Sequence, residues 1–165
     1  PIKVDAMGWR AAHEFEITRQ AWKGGARVPA PARRVENMFS MRYLGDEDGP
    51  APRLHDVRLE DPEPFLAEVL EGIERLANAG VVHGDLSAFN ILVQDARPWF
   101  IDFSEGFRID RVGTSSWIRL TAATEALRHG LQTLGAYFHR YGLDVRAEPL
   151  IARLVGAHDK FGVLR

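Results

Sequence analysis

Three residues with hard oxygen donors stand out by type and spacing. Asp85 lies in the polar stretch His83-Gly84-Asp85-Leu86-Ser87-Ala88-Phe89-Asn90, and Asn90 follows it by five positions. Asp102 comes twelve positions after Asn90, at the end of the apolar run Trp99-Phe100-Ile101. Magnesium prefers oxygen ligands and keeps some of its waters, so two carboxylates and an amide oxygen on neighbouring strand ends suit it. The same set is what phosphoryl transfer requires. One carboxylate ligates the metal on the triphosphate, an amide oxygen holds a second metal, and a separate carboxylate receives or orients the attacking hydroxyl. An isolated loop Asp is ordinarily a turn residue, and His83 alone reads as a structural hydrogen-bonder. The chemical reading rests on the whole string together with the second Asp.

Short elements must hold these groups. Val81-Val82 and Ile91-Leu92-Val93 read as β-type runs that fix the two ends of the polar loop, and Trp99-Phe100-Ile101 reads as a further strand. Upstream, Pro64 to Ala79 reads as a helix. Proline suits its first turn, Phe65, Leu66, Val69, Leu70, Ile73 and Leu76 make an apolar face, and Gly80 caps it. Residues Trp9 to Lys23 read as another helix, with Trp9, Ala12, Phe15 and Trp22 as its apolar positions and Gly24-Gly25 as its stop. Val28 to Pro31 is an extended connector. Val35 to Leu44 forms one or two short strands around Ser40, and Gly45 to Pro52 is a polar loop. Ser115 to Tyr141 is helical, with Ile118, Leu120, Leu127, Leu131, Leu134, Tyr137 and Phe138 as candidate core and Gly142 as C-cap; a last helix covers Ala147 to Ala157.

Composition narrows the classes. The chain has 165 residues, 45% hydrophobic and 27% charged, with net charge −2 and no Cys. That is globular, room for one compact domain with a small appendage. It gives no sign of a general DNA binder, and it excludes disulfides and Cys-ligated metal sites. No apolar stretch approaches the roughly 18 residues of a membrane span, so no membrane partner is expected. The absence of Cys fits a cytoplasmic protein. The remaining histidines, His13, His55, His129, His139 and His158, are scattered and read as surface residues. They offer no further ligands to a metal-dependent hydrolase.

The loop motif resembles the catalytic loop of the protein-kinase-like superfamily. Ser87 after Asp-Leu is similar to the RIO-type atypical kinases within it. Gly45 to Leu54, with Gly-Pro-Ala-Pro-Arg-Leu, resembles the RIO hinge and the segment after it. His13-Glu14-Phe15 followed by Val28-Pro29-Ala30-Pro31 is similar to the RIO helix C and its exit, and Tyr137 to Gly142 looks like the end of a late RIO helix. The resemblance spans about Trp9 to Gly142. It implies an α+β, protein-kinase-like two-lobe fold with a truncated N-lobe and a mainly helical C-lobe. Residues 1–44 would be the partial N-lobe, 45–54 the hinge and 55–165 the catalytic lobe.

Further roles follow from that resemblance. Asp85 would be the catalytic aspartate, and Asn90 and Asp102 would ligate magnesium or manganese. Met41 would guard the adenine pocket, the backbones of Arg42 and Leu44 would bond the adenine edge, and Leu92 and Ile101 would flank the ring. Glu14 would orient the phosphate-binding lysine, for which Lys3 is the candidate; Glu16, two positions on, faces elsewhere. ATP would be the substrate, with a Ser/Thr hydroxyl, the protein itself or water as acceptor. A protein substrate is implied, and a ribosome-related partner by family resemblance alone.

Four departures qualify the match. A glycine-rich phosphate-covering segment is expected upstream of Pro1. Ser104 stands where Gly follows Asp-Phe in the superfamily. An Ala-Pro-Glu segment is absent, as in RIO kinases. Arg128-His129-Gly130 stands where an acidic anchor braces the catalytic loop. Two alternatives remain at this stage. One is a small-molecule phosphotransferase of the aminoglycoside or choline kinase type, against which the short tail counts. The other is a non-catalytic, nucleotide-binding pseudokinase, against which the intact Asp85, Asn90 and Asp102 count.

Overall fold

The computed structural model describes residues 6–110 and 116–159. Helix α1 (Ala6–Lys23) leads into a hairpin of β1 (Pro31–Val35) and β2 (Met38–Met41), followed by a very small hairpin of β3 (Gly45–Asp46) and β4 (Gly49–Pro50). After a single helical turn at Leu54–Asp56 comes α2 (Pro62–Asn78), then β5 (Val81–Val82), β6 (Ile91–Gln94), β7 (Arg97–Phe100) and β8 (Phe107–Arg108). Helices α3 (Ser116–Phe138) and α4 (Ala147–Gly156) follow, separated by a helical turn at His139–Tyr141. All the sheets are two-stranded and antiparallel: β1 with β2, β3 with β4, β5 with β8, and β6 with β7. No helix among the described residues is long and apolar enough to cross a membrane.

The core is built on α2. Its buried stripe of Phe65, Leu66, Val69, Ile73, Leu76 and Ala77 forms one cluster with Val81, Val82, Ile91, Phe100, Leu131, Leu134 and Phe138. Burying such side chains is worth about 1.5–3 kcal/mol each, which fixes the strands that carry the polar loops. Pro62 and Pro64 both fall in the first turn of α2, where no intrahelical N–H partner is needed. The helix therefore starts two residues before the expected Pro64. Gly80 ends it in the left-handed region at φ 73°. At Gly72 the Phe100 ring occupies the place of a side chain, so α2 and β7 lie in direct contact.

Several expectations need correction. The strands of the N-terminal part run over 31–35 and 38–41, so the turn falls at Glu36-Asn37, and Glu36 adopts φ 50°. Ser40 lies inside β2, with its hydroxyl donating to the Arg33 carbonyl. Pro31 belongs to β1 rather than to a connector. Trp9 and Trp22 are exposed, not core, because α1 packs through Ala11, Ile17, Thr18 and Ala21. Ile118 is likewise exposed. His158 is no free surface residue: it bonds the Ala77 carbonyl at 2.8 Å, at the C-terminal end of α2. Lys3 lies outside the described residues.

The Gly72 contact yields a direct test. Helix preference favours Ala over Gly by about 1 kcal/mol, but overpacking a core costs about 1–3 kcal/mol. With a rigid aromatic ring in the way the overpacking cost lies at the upper end of that range, so after the helix gain Gly72→Ala is expected to lower the unfolding free energy by about 1–2 kcal/mol, read as a lower urea midpoint.

Candidate active site

The polar loop hangs between β5 and β6 and is held at nearly every residue. His83 is buried, at 3% exposure. Its Nε2 bonds the Ile101 carbonyl at 2.9 Å, and its Nδ1 accepts the Asp85 N–H at 3.4 Å. A carbonyl can only accept, so Nε2 carries the proton and Nδ1 stays bare. That is the neutral imidazole. Burial pushes its pKa below the ordinary 6.5, although Ile101, Asp102 and Asp85 all pull the other way. The ring packs against Phe103 with centroids 4.6 Å apart. Gly84 takes φ 85°, and a side chain there would collide with the Glu105 backbone, so only glycine lets the loop lie this close to the 103–106 turn.

The rest of the loop is anchored through apolar residues. Leu86 is buried against α3, where a Cβ on Gly130 would lie only 2.8 Å from Leu86 Cβ. Gly130, in the stretch where an acidic anchor is expected, thus makes room for an apolar contact. Ala88 is buried, and its carbonyl accepts the His55 N–H at 3.0 Å. Phe89 stays exposed and stacks on His55, centroids 4.0 Å apart.

Between these anchors the oxygen donors are presented to solvent. Asp85 and Asp102 are exposed. Asn90 donates both amide hydrogens to Asp85, one to its carbonyl at 2.7 Å and one to carboxylate Oδ2 at 3.1 Å. This leaves amide Oδ1 as the free face of Asn90. The Asn90 carbonyl in turn accepts the Ile101 N–H at 3.0 Å, which sets the Asn beside the residue preceding Asp102. Asp102 sits in the left-handed region at φ 62°, uncommon for a residue with a side chain though best tolerated by Asp and Asn. Its Oδ1 accepts Ser104 Oγ at 2.6 Å and Ser104 N–H at 3.3 Å.

Helix α1 docks on the same turn. His13 Nε2 donates to the Gly106 carbonyl at 2.6 Å, so this histidine is a connector and not the surface residue its isolation in the sequence suggests. Glu14, next to it, is half-buried beside the Phe103 backbone. Burial raises its pKa, and the nearby Asp102 charge raises it further, while Phe103 and His13 oppose the shift. Glu16 is exposed, on another face of the helix.

The residues expected around the adenine stand apart from this hydrogen-bonded unit. Met41 is exposed, the Arg42 N–H donates to the Ala30 carbonyl at 2.9 Å, and the buried Leu44 accepts the Ala51 N–H at 3.0 Å. The link comes through the next residues. Arg53 bridges Leu92 in β-fashion, and the Val93 N–H bonds the Pro52 carbonyl at 2.8 Å, laying Pro52-Arg53 along β6. Leu92 and Ile101 are both partly buried.

A model of the RIO domain matches residues 5–149. The chain belongs to the RIO domain family. This RIO domain is 31% identical over 149 residues to the RIO-type serine/threonine-protein kinase Rio1 of Haloferax volcanii, covering 90% of the chain and 48% of that protein. It is 32% identical over 148 residues to the serine/threonine-protein kinase RIO1 of Caenorhabditis elegans, covering 88% of the chain and 27% of that protein. The chain thus spans half the length or less of both relatives. Among solved structures, the Rio2 kinase of Chaetomium thermophilum superposes with TM-score 0.71 at 24% identity, over 95% of this chain and 47% of that one. The Rio2 kinase-ADP/Mg2+-phosphoaspartate complex from the same organism superposes with TM-score 0.67 at 22% identity, over 96% of this chain and 51% of that one. The α+β protein-kinase-like fold implied by the loop motif is therefore the fold observed.

The neutral His83 makes stability depend on pH. An imidazole whose folded pKa is depressed binds a proton more readily when unfolded, so its contribution is present above 6.5 and lost as the pH falls below it. The wild-type unfolding free energy should decline as the pH is lowered from 6.5, and His83→Gln should decline less over the same interval, measured by denaturant titration at each pH.

Proposed function

We propose that this RIO domain carries out Mg-dependent transfer of the γ-phosphoryl group of ATP to a Ser/Thr hydroxyl of a protein, or to one of its own residues. The observation that carries the reading is the clamp of Asn90 on Asp85. One amide holds the carboxylate expected at the acceptor hydroxyl through its nitrogen, and its oxygen, outside those bonds, would serve a cation. In this role Asp85 positions the hydroxyl and takes its proton.

The donor set suits magnesium. Asn90 Oδ1 and the Asp102 carboxylate are hard oxygens on adjacent backbone segments joined by the Ile101–Asn90 bond. Magnesium bound there would neutralise charge developing on the phosphate oxygens. Glu14 lies near enough to feel the Asp102 charge, and a cation bound nearby would relieve that repulsion. Lys3, through its amine, is the protein's own candidate for part of that charge, and Glu14 would orient it.

On the adenine side the backbone groups divide cleanly. The Arg42 N–H and the Leu44 carbonyl are already bonded within the protein. The complementary Arg42 carbonyl and Leu44 N–H are the pair that would address an adenine edge, with Leu92 and Ile101 at its faces and Met41 at the back. Residues 45–54 then act as the hinge between a small N-terminal lobe, residues 1–44, and the helical lobe, residues 55–165. A cytoplasmic setting, where ATP is held, goes with this reading.

The reading separates binding from chemistry. Mg-ATP is expected to raise the melting temperature of the complete protein, and Asp102→Ala to remove the Mg-dependent part of that rise. Asp85→Asn should keep the thermal shift and lower phosphoryl transfer about 10²-fold or more, measured with radiolabelled ATP. Asp85→Asn transferring at the wild-type rate would contradict the assignment.

A further inference from the structure

We propose that Ser104 is a positioning residue for the metal-binding carboxylate: its hydroxyl clamps one oxygen of Asp102 so that the other faces the cation. The inference rests on the phosphotransfer reading above and adds to it a residue whose type the superfamily pattern does not predict.

Ser104 is exposed, so its hydroxyl has water available and needs no protein partner. It nonetheless donates to Asp102 Oδ1 at 2.6 Å, in the range of a charge-assisted O–H···O⁻ bond. Its own N–H reaches the same oxygen at 3.3 Å. One residue thus places two donors on one carboxylate oxygen, and Oδ2 is left as the oxygen for a ligand. Asn90 is treated in the same way, with its amide nitrogen tied to Asp85 and its oxygen free. Both metal-facing side chains therefore have one end fixed and the opposite oxygen presented.

The backbone explains why the clamp matters at this position. Asp102 is held at φ 62°, a conformation that is unfavourable for most residues and accepted by Asp when its short side chain bonds locally. The bonds to residue i+2 close that local ring. Glycine here would keep the backbone N–H and lose the hydroxyl. Partners behind a metal ligand fix its orientation, and their loss costs about 10- to 100-fold in metal affinity.

The test uses the complete protein and magnesium titrated at fixed ATP, followed by the thermal shift. Ser104→Ala and Ser104→Gly are each expected to raise the half-saturating magnesium concentration about tenfold or more. The shift given by ATP in EDTA should stay unchanged, which a general disruption of the nucleotide pocket would not allow. Ser104→Thr, which keeps the hydroxyl, should restore the wild-type midpoint. Should the Ala variant fail to fold, the Gly variant, which leaves the backbone freer, serves for the same comparison. A midpoint within twofold of wild type in the foldable variant, or no restoration by Thr, overturns the role of Ser104 and leaves the phosphotransfer reading standing. A wild-type protein with no magnesium-dependent shift overturns both.

Discussion

The bond from His83 Nε2 to the Ile101 carbonyl is the constraint on which the rest of the site depends. It joins the start of the polar loop to the residue before Asp102, across eighteen positions of sequence. The same ring accepts the Asp85 N–H, so a single neutral imidazole sets the direction of both carboxylate-bearing segments. Buried with Phe103 against it, this histidine has no water to substitute for either partner. An unpaired polar group at such a depth would cost about 1–3 kcal/mol. The two backbone segments are thus aligned by an energy that the exposed carboxylates do not have to supply.

Around this bond the fold adds braces of different chemistry. Leu86 fills the notch left by Gly130 in α3, which gives the loop an apolar seat. His13 of α1 reaches the Gly106 carbonyl, so the turn carrying Asp102 is held from the N-terminal side as well. The β6–β7 hairpin and the Asn90–Ile101 bond close the ring. Oxygen donors on a framework of this kind need little reorganisation when a charged ligand arrives, which is how electrostatic preorganisation works.

Much of this was legible from local pattern. The apolar face of α2, the strands around the loop, and the placing of Asp85 and Asn90 on one polar loop all follow from short-range periodicity and motif spacing. The failures have physical causes. Large residues suggested the buried face of α1, but the helix packs closely through Ala11, Ile17 and Ala21, and Trp9 and Trp22 are left outside. Strand β8 escaped notice because its two residues pair with β5 from far along the chain, and no local signal marks such a pairing. His13 is invisible as a connector for the same reason, its partner lying 93 positions away. No local signal marks the role of Gly130, and only the approach of Leu86 reveals it. Ser104 was legible only as a departure from glycine, and its effect on Asp102 needed the geometry.

The central claim is that the alignment of the two loops, set by His83, makes the nucleotide site. The most direct measurement is the calorimetric affinity for Mg-ATP of folded His83→Leu, at neutral pH, beside that of wild type. Leucine keeps apolar bulk but can neither donate to Ile101 nor accept from Asp85, and residue 83 is not among those proposed to touch ATP. The account predicts a clear loss of affinity, about tenfold or more for two lost hydrogen bonds. An unchanged affinity in a folded His83→Leu protein would contradict it.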